Sequence, residues 1–497
     1  MLPIARYKTA IKRFDVSRPV RLTLEHGLLQ PDTTFFDYGC GHGDDINRLN
    51  QLGIPSTGWD PIYFPECERR SADVVNLGYV VNVIEDPLER LEALKEAWSL
   101  TEKLLIVSAR LSIERENGLS RNQFADGYVT SRGTFQKFYE QNELRDWTNQ
   151  SLGVHSIAVA PGIFYVFKNS DLLQTFSASR YRRTSAAPRQ KCSHLIFEED
   201  RDLFEPLIGF IANRGRLPDD SEIEMAAAIR AKVGTLKRAF AIIREVTGFE
   251  QWNQIREDRS QDLLVYLALT RFSGRPRFSR LPLDLQLDVR AFFSTYHQAC
   301  ESADALLFSA GQPDILVEAC NKSPVGKQTP EALYLHTSAL PFLPPVLRIY
   351  EGCARAYLGA VEGANVVKLS RKKAQVSYLY YPNFDSDPHP ALAGSLVVPL
   401  RSFHVRYQDY SDSPNPFILH RKEMFVAPDY PLRNKFERLT AQEERFGLYE
   451  TPQSIGTRDG WKNVLDEKGV RLSGHRVVIN KNKSNNSDLG RSSEGIG

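Results

Sequence analysis

The run Phe35-Phe36-Asp37-Tyr38-Gly39-Cys40-Gly41-His42-Gly43-Asp44-Asp45 says more about this chain than any other. An apolar, β-prone stretch from Thr33 to Tyr38 ends in three alternating glycines. An amphipathic segment follows, with Ile46, Leu49 and Leu52 on one side and Gly53 at its end. This pattern predicts a strand, a tight turn and a helix start, with glycines where a Cβ would keep a ligand from the backbone. Charge then separates the ligands. A dinucleotide turn needs G-x-G-x-x-G, with a pyrophosphate seated on the helix N-terminus. Here the spacing is G-x-G-x-G, and Asp44 and Asp45 would repel a pyrophosphate. They would tolerate a ligand carrying an ammonium and a sulfonium.

S-adenosylmethionine is such a ligand, with Asp37, Gly39, Gly41 and Gly43 as expected contacts. The next strand ends in Ser56-Thr57-Gly58-Trp59-Asp60-Pro61. A carboxylate at the carboxyl end of strand two can accept both hydroxyls of a ribose. A turn aspartate before proline is the plainer alternative; behind the glycine turn, the ribose role is favoured for Asp60.

Further on the chain reads Ala72-Asp73-Val74-Val75-Asn76-Leu77-Gly78-Tyr79-Val80-Val81-Asn82-Val83-Ile84-Glu85-Asp86-Pro87-Leu88-Glu89-Arg90. This stretch resembles class I methyltransferases, in which a strand leads through a short helix to a "hxDP" phrase opening a longer one. Asp86 is the expected cap and Pro87 the first-turn residue. Leu88, Leu91, Leu94 and Trp98 are expected to form that helix's buried face. Leu104–Ser108 reads as a further strand. Ser156–Val159 and Ile163–Phe167, turned at Pro161-Gly162, read as the antiparallel pair that ends such a fold. About a dozen residues separate Asp60 from Asp73, fewer than a full crossover usually takes. The third strand is therefore expected to be cut down or rerouted, which leaves Tyr63, Phe64 and Asn76 as candidates for an adenine.

The likeness extends along about residues 1 to 478. Lys8–Arg13 with Ser17-Arg18-Pro19, the glycine turn, Gly58–Pro61, Asn76–Pro87, Ala332–Gly352 and Asn415–Glu423 together resemble one family. That family is the methyltransferase-like proteins associated with bacterial DNA phosphorothioation. The resemblance implies an S-adenosylmethionine cofactor, DNA as a partner and other proteins of a phosphorothioation or defence system nearby.

Composition sets outer bounds. A chain of 497 residues is too long for one core, and 42% hydrophobic with 25% charged residues describes an ordinary soluble protein. No apolar run approaches membrane-spanning length and no signal-peptide core precedes the fold, so a cytoplasmic location without membrane contact is expected. The six cysteines (40, 67, 192, 300, 320 and 353) lack paired spacing, so neither a metal site nor a disulfide framework is expected. Cys40 reads as a small filler in the loop rather than a nucleophile. A net charge of +2 is uninformative about nucleic acid.

Charge distribution says more. Residues 177–191 carry five basic residues and no acid, including Arg180, Arg182 and Arg183. Arg271–Arg280 alternates aromatics with arginines, among them Arg275 and Arg277, and Lys368–Lys373 contains Arg371 and Lys372. Arginines interleaved with aromatics can hold phosphates and stack bases, while solvated loops of the same composition are common. These seven residues are the candidate nucleic-acid contacts. Between the first two clusters Phe204, Leu207, Ile208 and Ile211 share a helical face, as do Ala226, Ala227, Ile229, Val233 and Leu236. Gly234–Ala239 could pass for part of a helix-turn-helix or of an ordinary bundle. Farther on, Tyr378–Tyr381, Leu396–Leu400 and Phe403–Tyr407 read as strands, and Pro341–Tyr350 and Pro431–Phe446 as helix-like.

The expected architecture is α/β: a Rossmann-like, class I methyltransferase sheet over 1–170 and a basic linker over 171–194. A helical domain over 195–312, a mixed α+β domain over 313–480 and a disordered tail over 481–497 complete it. Methyl transfer needs little acid–base help if the acceptor is held in line. DNA amino-methyltransferases hold a flipped base with an N/D-P-P-Y/F motif after the fourth strand. At that position stand Asn76-Leu77-Gly78-Tyr79, in register but without the prolines. Asn76 and Tyr79 are therefore the candidate catalytic pair, or cofactor-pocket residues only. Asn415-Pro416-Phe417 resembles the motif as text but lies outside the cofactor region. His420-Arg421-Lys422-Glu423 beside it could grip a phosphate or form surface ion pairs. Three functions stay open: a DNA methyltransferase, a methyltransferase of tRNA or a small acceptor, and a non-catalytic recognition or scaffold subunit.

Overall fold

The computed structural model describes residues 4–13, 15–114, 123–183 and 201–480. Chain packing divides it into two units, Met1–Ser309 with Arg355–Ala360, and Ala310–Ala354 with Val361–Gly497. The first contains, in order, α1 (Arg18–Glu25), β1 (Phe35–Tyr38), α2 (Asp44–Gln51), β2 (Ser56–Trp59), β3 (Ala72–Gly78), α3 (Pro87–Leu100) and β4 (Thr101–Ser108). A small sheet of β5 (Gln123–Phe124), β6 (Gly127–Val129) and β7 (Phe135–Gln136) follows. Then come α4 (Gln141–Leu152), β8 (Ile157–Ala160), β9 (Ile163–Phe167) and α5 (Ser170–Ser179).

The main sheet has the order β2-β1-β3-β4-β9-β8, parallel except for β9, which runs antiparallel to both its neighbours. Its strands are apolar on both faces because helices cover both, as a parallel sheet requires. Phe36, Val75, Leu77, Leu105 and Val107 fill one side. Phe35, Val74, Leu104, Ile106 and Tyr165 fill the other. Strand order reverses between β1 and β3, and such sheets open their ligand crevice at that point, beyond the strand carboxyl ends. The expected Rossmann-like α/β sheet is present, with its closing antiparallel hairpin.

No strand forms between β2 and β3, so β2 is the sheet's edge. The intervening residues turn through an Asp60–Phe64 bridge. Arg69 closes this side, its guanidinium 3.8 Å from the Trp59 ring centre and paired with Glu96 on α3.

Helix α3 starts where expected: the Asp86 carboxylate accepts the Leu88 N–H at 2.9 Å, and Pro87 follows it. Its buried face matches the expected one in part: Leu94 is buried and Trp98 packs against the core. Arg90, Ala93, Leu94 and Ala97 face inward, while Leu88 is 70% exposed. Two alanines let the helix lie close on the sheet, and Leu88 sits in the first turn on the solvent side. The guanidinium of Arg90 is neutralised by Asp126 on the β5–β6 turn, through contacts of 2.5 and 2.7 Å.

Helices from Arg201 to Ser309 belong to the first unit, with a core around Phe204, Leu207, Ile229, Ile243 and Trp252. Ala227, expected on the inner face, is exposed. Gly234 ends the helix Ala226–Val233, and the Thr235 hydroxyl caps Leu236–Thr247 by accepting the Arg238 N–H.

The second unit is built on an antiparallel sheet whose strands pair in chain order: β10 (Lys327–Gln328), β11 (Ala332–His336), β12 (Val366–Ser370), β13 (Gln375–Tyr380), β14 (Gly394–Pro399) and β15 (Arg406–Asp409). The last strand starts later than the expected Phe403, because Phe403 takes a left-handed φ of 53° that a strand cannot contain. Helices Arg433–Arg445 and Arg458–Glu467 complete this mixed α+β unit. Among the described residues, no helix is long and apolar enough to cross a membrane. The predicted tail 481–497 and residues 184–194 of the predicted linker lie outside the described residues.

Candidate active site

The glycine turn is fastened to the end of β2. Gly39 and Cys40 donate their N–H groups to the Trp59 carbonyl at 2.8 and 3.1 Å. The Gly41 N–H reaches Asp60 Oδ2 at 3.0 Å. Gly39 has φ 84°, and a Cβ there would stand 2.5 Å from Val80 Cγ2, so the position tolerates no side chain. Gly43, at φ 76°, is the N-cap of α2. The other oxygen of Asp60 accepts the N–H groups of Ile62 and Tyr63 at 2.9 and 3.0 Å. Asp60 thus holds its own turn and the glycine loop at once. Of about four lone-pair sites on a carboxylate, these three bonds leave one, on Oδ2.

Asp37 and Asn76 lie beneath this floor rather than in the opening above it. Both are buried, and the Asn76 amide nitrogen donates to Asp37 Oδ1 at 2.8 Å. Burial and the nearby carboxylates of Asp45 and Asp60 push the Asp37 acid up to about 7, against the Asn76 hydrogen bond and Arg13. Asp44 and Asp45 fasten the N-terminal segment: Arg13 N–H reaches Asp44 at 2.7 Å and Ser17 N–H reaches Asp45 at 2.6 Å. Farther out, Arg6 bridges Glu85 and Glu89 at 2.8 and 2.5 Å, and Ala5 N–H joins the Gly133 carbonyl. Cys40 is half-buried, and burial with Asp37 and Asp60 pushes its thiol up, away from a reactive thiolate.

Above the glycine turn opens a cleft of about 1290 Å³. Gly39, Gly41, Asp60, Tyr63, Tyr79 and Asn82 are among its lining residues. The Tyr63 ring sits 4.3 Å from that of His42 on one wall. Tyr79 has a φ of 59°, a conformation that costs a bulky residue roughly 1–2 kcal/mol. Its N–H is held by the Ser108 carbonyl at 2.9 Å. Burial raises the Tyr79 phenol; Arg18, Arg13 and Arg110 oppose that rise and Glu114 adds to it, and all four also line the cleft. Asn82 is 2% exposed, and its Oδ1 has no hydrogen-bond partner among the described residues. Sequence reasoning passed over Asn82, although it lies inside the quoted phrase, because Val81 and Val83 flank it like strand residues. It also missed Arg13, Arg18 and Arg110, which line the cleft from the segment before α1, from α1 itself and from just after β4.

The candidate nucleic-acid residues do not line this cleft. Arg180 donates to the Ala158 carbonyl at 3.3 Å. Burial and the like charge of Arg214 depress Arg182. Arg183 is held by Asp262 at 2.6 Å and Arg275 by Asp304 at 2.5 Å. Arg277 is exposed. In the second unit Arg371 lies near Gln328 at 3.4 Å, and Lys372 pairs with Glu331 at 3.0 Å. His420, Lys422 and Glu423 are buried rather than superficial, and the Lys422 ammonium donates to the carbonyls of Phe384 and Asp387, each at 2.6 Å. Arg421 pairs with Glu444, and Asn415 accepts the Asp459 N–H.

No protein-family model and no curated protein matches the chain. Solved structures similar to part of it include the 1,6-didemethyltoxoflavin-N1-methyltransferase of Burkholderia thailandensis, crystallised with 1,6-didemethyltoxoflavin and S-adenosylhomocysteine. It is 13% identical over 33% of this chain and 79% of that one, with a TM-score of 0.23. A SAM-dependent methyltransferase of Aquifex aeolicus is 16% identical over 34% of this chain and 98% of that one, with a TM-score of 0.21. One of Thermotoga maritima is 20% identical over 26% and 74%, with a TM-score of 0.18.

Proposed function

We propose that this chain is an S-adenosylmethionine-dependent methyltransferase acting on DNA, in the phosphorothioation-linked setting that its sequence resembles. The observation that carries the reading is the junction of the glycine turn, Asp60 and the cleft at the point where strand order reverses. The residues present fit the cofactor. Gly39 leaves backbone open to a close approach, and Asp60 keeps an acceptor position for a ribose hydroxyl. Asp44 and Asp45 add negative charge suited to an ammonium. When bound, the cofactor supplies a methyl group on a sulfonium, and the chain's own task is to position an acceptor against it. Ordinary ligand pockets occupy about 300–1,000 Å³, so this cleft has room for a cofactor and part of a second molecule. Arg13, Arg18 and Arg110, which line the cleft together with Glu114, offer positive charge to an acceptor that carries phosphate.

One observation favours a second reading. Arg183, Arg275 and Lys372 are tied to carboxylates, which removes much of the charge expected to track a DNA backbone and favours a smaller acceptor. Calorimetric titration with S-adenosylmethionine, S-adenosylhomocysteine and NAD tests the shared part of both. The two adenosyl ligands are expected to bind and NAD is not. Asp60→Ala is expected to weaken that binding at least about tenfold, since it removes a hydrogen-bonding carboxylate. Transfer of a labelled methyl group to DNA, to tRNA and to small amines then separates the acceptors. A wild-type chain that binds neither adenosyl ligand would leave a scaffold role in place of an enzyme.

A further inference from the structure

Two asparagines stand near the end of β3, and the fold gives them different work. Asn76 gives its amide nitrogen to Asp37 below the floor; its own Oδ1 is likewise buried without a partner among the described residues, but the residue does not line the cleft. Asn82 lines the cleft, and its carbonyl oxygen Oδ1 is buried without a hydrogen-bond partner among the described residues. An amide oxygen left so has lost the hydrogen bond water would give it, which a ligand bringing an N–H or O–H donor would restore. The residue is held firmly in place. Its backbone carbonyl accepts the Lys137 N–H at 2.7 Å, and the Lys137 ammonium is itself fixed by Asp126 and Glu143 at 2.9 and 2.7 Å.

Resting on the methyltransferase reading, we infer that Asn82 is the specificity-determining residue of the acceptor side, and that it holds the exocyclic amine of a DNA base through Oδ1. Three features select that group. The free atom is an acceptor only, so the ligand must donate. A neutral amide takes no proton near pH 7, so it suits a nucleophile that need not be deprotonated before attack, which an amine is and a hydroxyl is not. Tyr79, three residues earlier, lines the same cleft with an aromatic ring that suits a flat partner, and Arg13, Arg18 and Arg110 line it too. In the transfer, the amine nitrogen forms a bond to the methyl carbon as the carbon–sulfur bond breaks and its electron pair passes to sulfur. The nitrogen then sheds its surplus proton to water.

The test uses the full chain saturated with S-adenosylhomocysteine and titrated with short single-stranded homopolymers of deoxyadenylate, deoxycytidylate and deoxythymidylate. Thymine lacks the exocyclic amine. The first two are expected to bind at least about tenfold tighter than the third, a difference that one well-made hydrogen bond can supply. Asn82→Leu should erase the preference and Asn82→Asp, which keeps an acceptor oxygen, should retain it, while both still bind S-adenosylhomocysteine. If Asn82→Leu loses that binding through misfolding, Asn82→Ala makes the same comparison. S-adenosylhomocysteine binding with no amine preference, or a preference that survives Asn82→Leu and Asn82→Ala, overturns the assignment and leaves the methyltransferase reading standing. Failure of the wild-type chain to bind S-adenosylhomocysteine overturns both.

Discussion

Asp37 titrates near 3.9 in an unfolded chain and about 7 in the fold, where burial and two carboxylates disfavour its charge. Between those values the folded state holds more protons than the unfolded one. Stability therefore falls as pH rises from about 4 to about 7, then levels off. Asp37→Asn keeps an oxygen for Asn76 and removes the charge. Its gain in thermal midpoint over the wild type, without cofactor, should be near zero at about pH 4 and largest at about pH 8. Equal gains at every pH would show that Asp37 is not the titrating group. The quoted stretch made Asp37 legible as a residue beside the glycine turn, but not as one under the floor. Strand alternation says that Asp37 differs in face from Phe36 and Tyr38, and only the partner strand reveals Asn76 opposite it. Asn82 was illegible for a different reason: a polar residue between valines looks like any strand or helix position until its cavity is known.

At the scale of elements, motif-bearing junctions were readable and faces were less so. The glycine turn, the Asp86–Pro87 helix start and the Pro161-Gly162 hairpin each rest on local backbone chemistry that a few residues dictate. The short gap after Asp60 pointed to a third strand cut down or rerouted, because chain length alone limits a crossover, and no strand forms there. The buried face of α3 was read correctly at Leu94 and Trp98 but not at Leu88, because spacing by leucines passed over Ala93 and Ala97, which face the core. Leu88→Ser should change stability by no more than about 0.5 kcal/mol, as exposed substitutions do. Leu94→Ala should cost about 2–5 kcal/mol through the cavity it leaves. Chemical denaturation of the two variants checks the assignment, and equal losses would refute it.

For the whole molecule, a composition of near-neutral charge concealed how the charges pair. Clusters that look free in a linear sequence are spent on aspartates and glutamates far away in the chain, with Arg183 and Asp262 separated by 79 positions. No local pattern carries that information. It has a measurable consequence for DNA binding. If only Arg13, Arg18 and Arg110 of the cleft reach phosphates, the logarithm of affinity should fall with that of salt at a slope of about −2. Fluorescence titration of short single-stranded DNA between about 50 and 200 mM salt gives the slope directly. A value steeper than about −6 would mean that the paired clusters open to bind.

Tyr79 keeps a backbone conformation that glycine or asparagine would occupy with ease. A population of variants selected for heat tolerance alone has a backbone strain to relieve there, and Tyr79→Gly relieves it. The same change empties the aromatic side of the cleft. Breeding this protein for robustness and breeding it for use therefore part company at one position, and the residue found there after such an experiment records which demand was made.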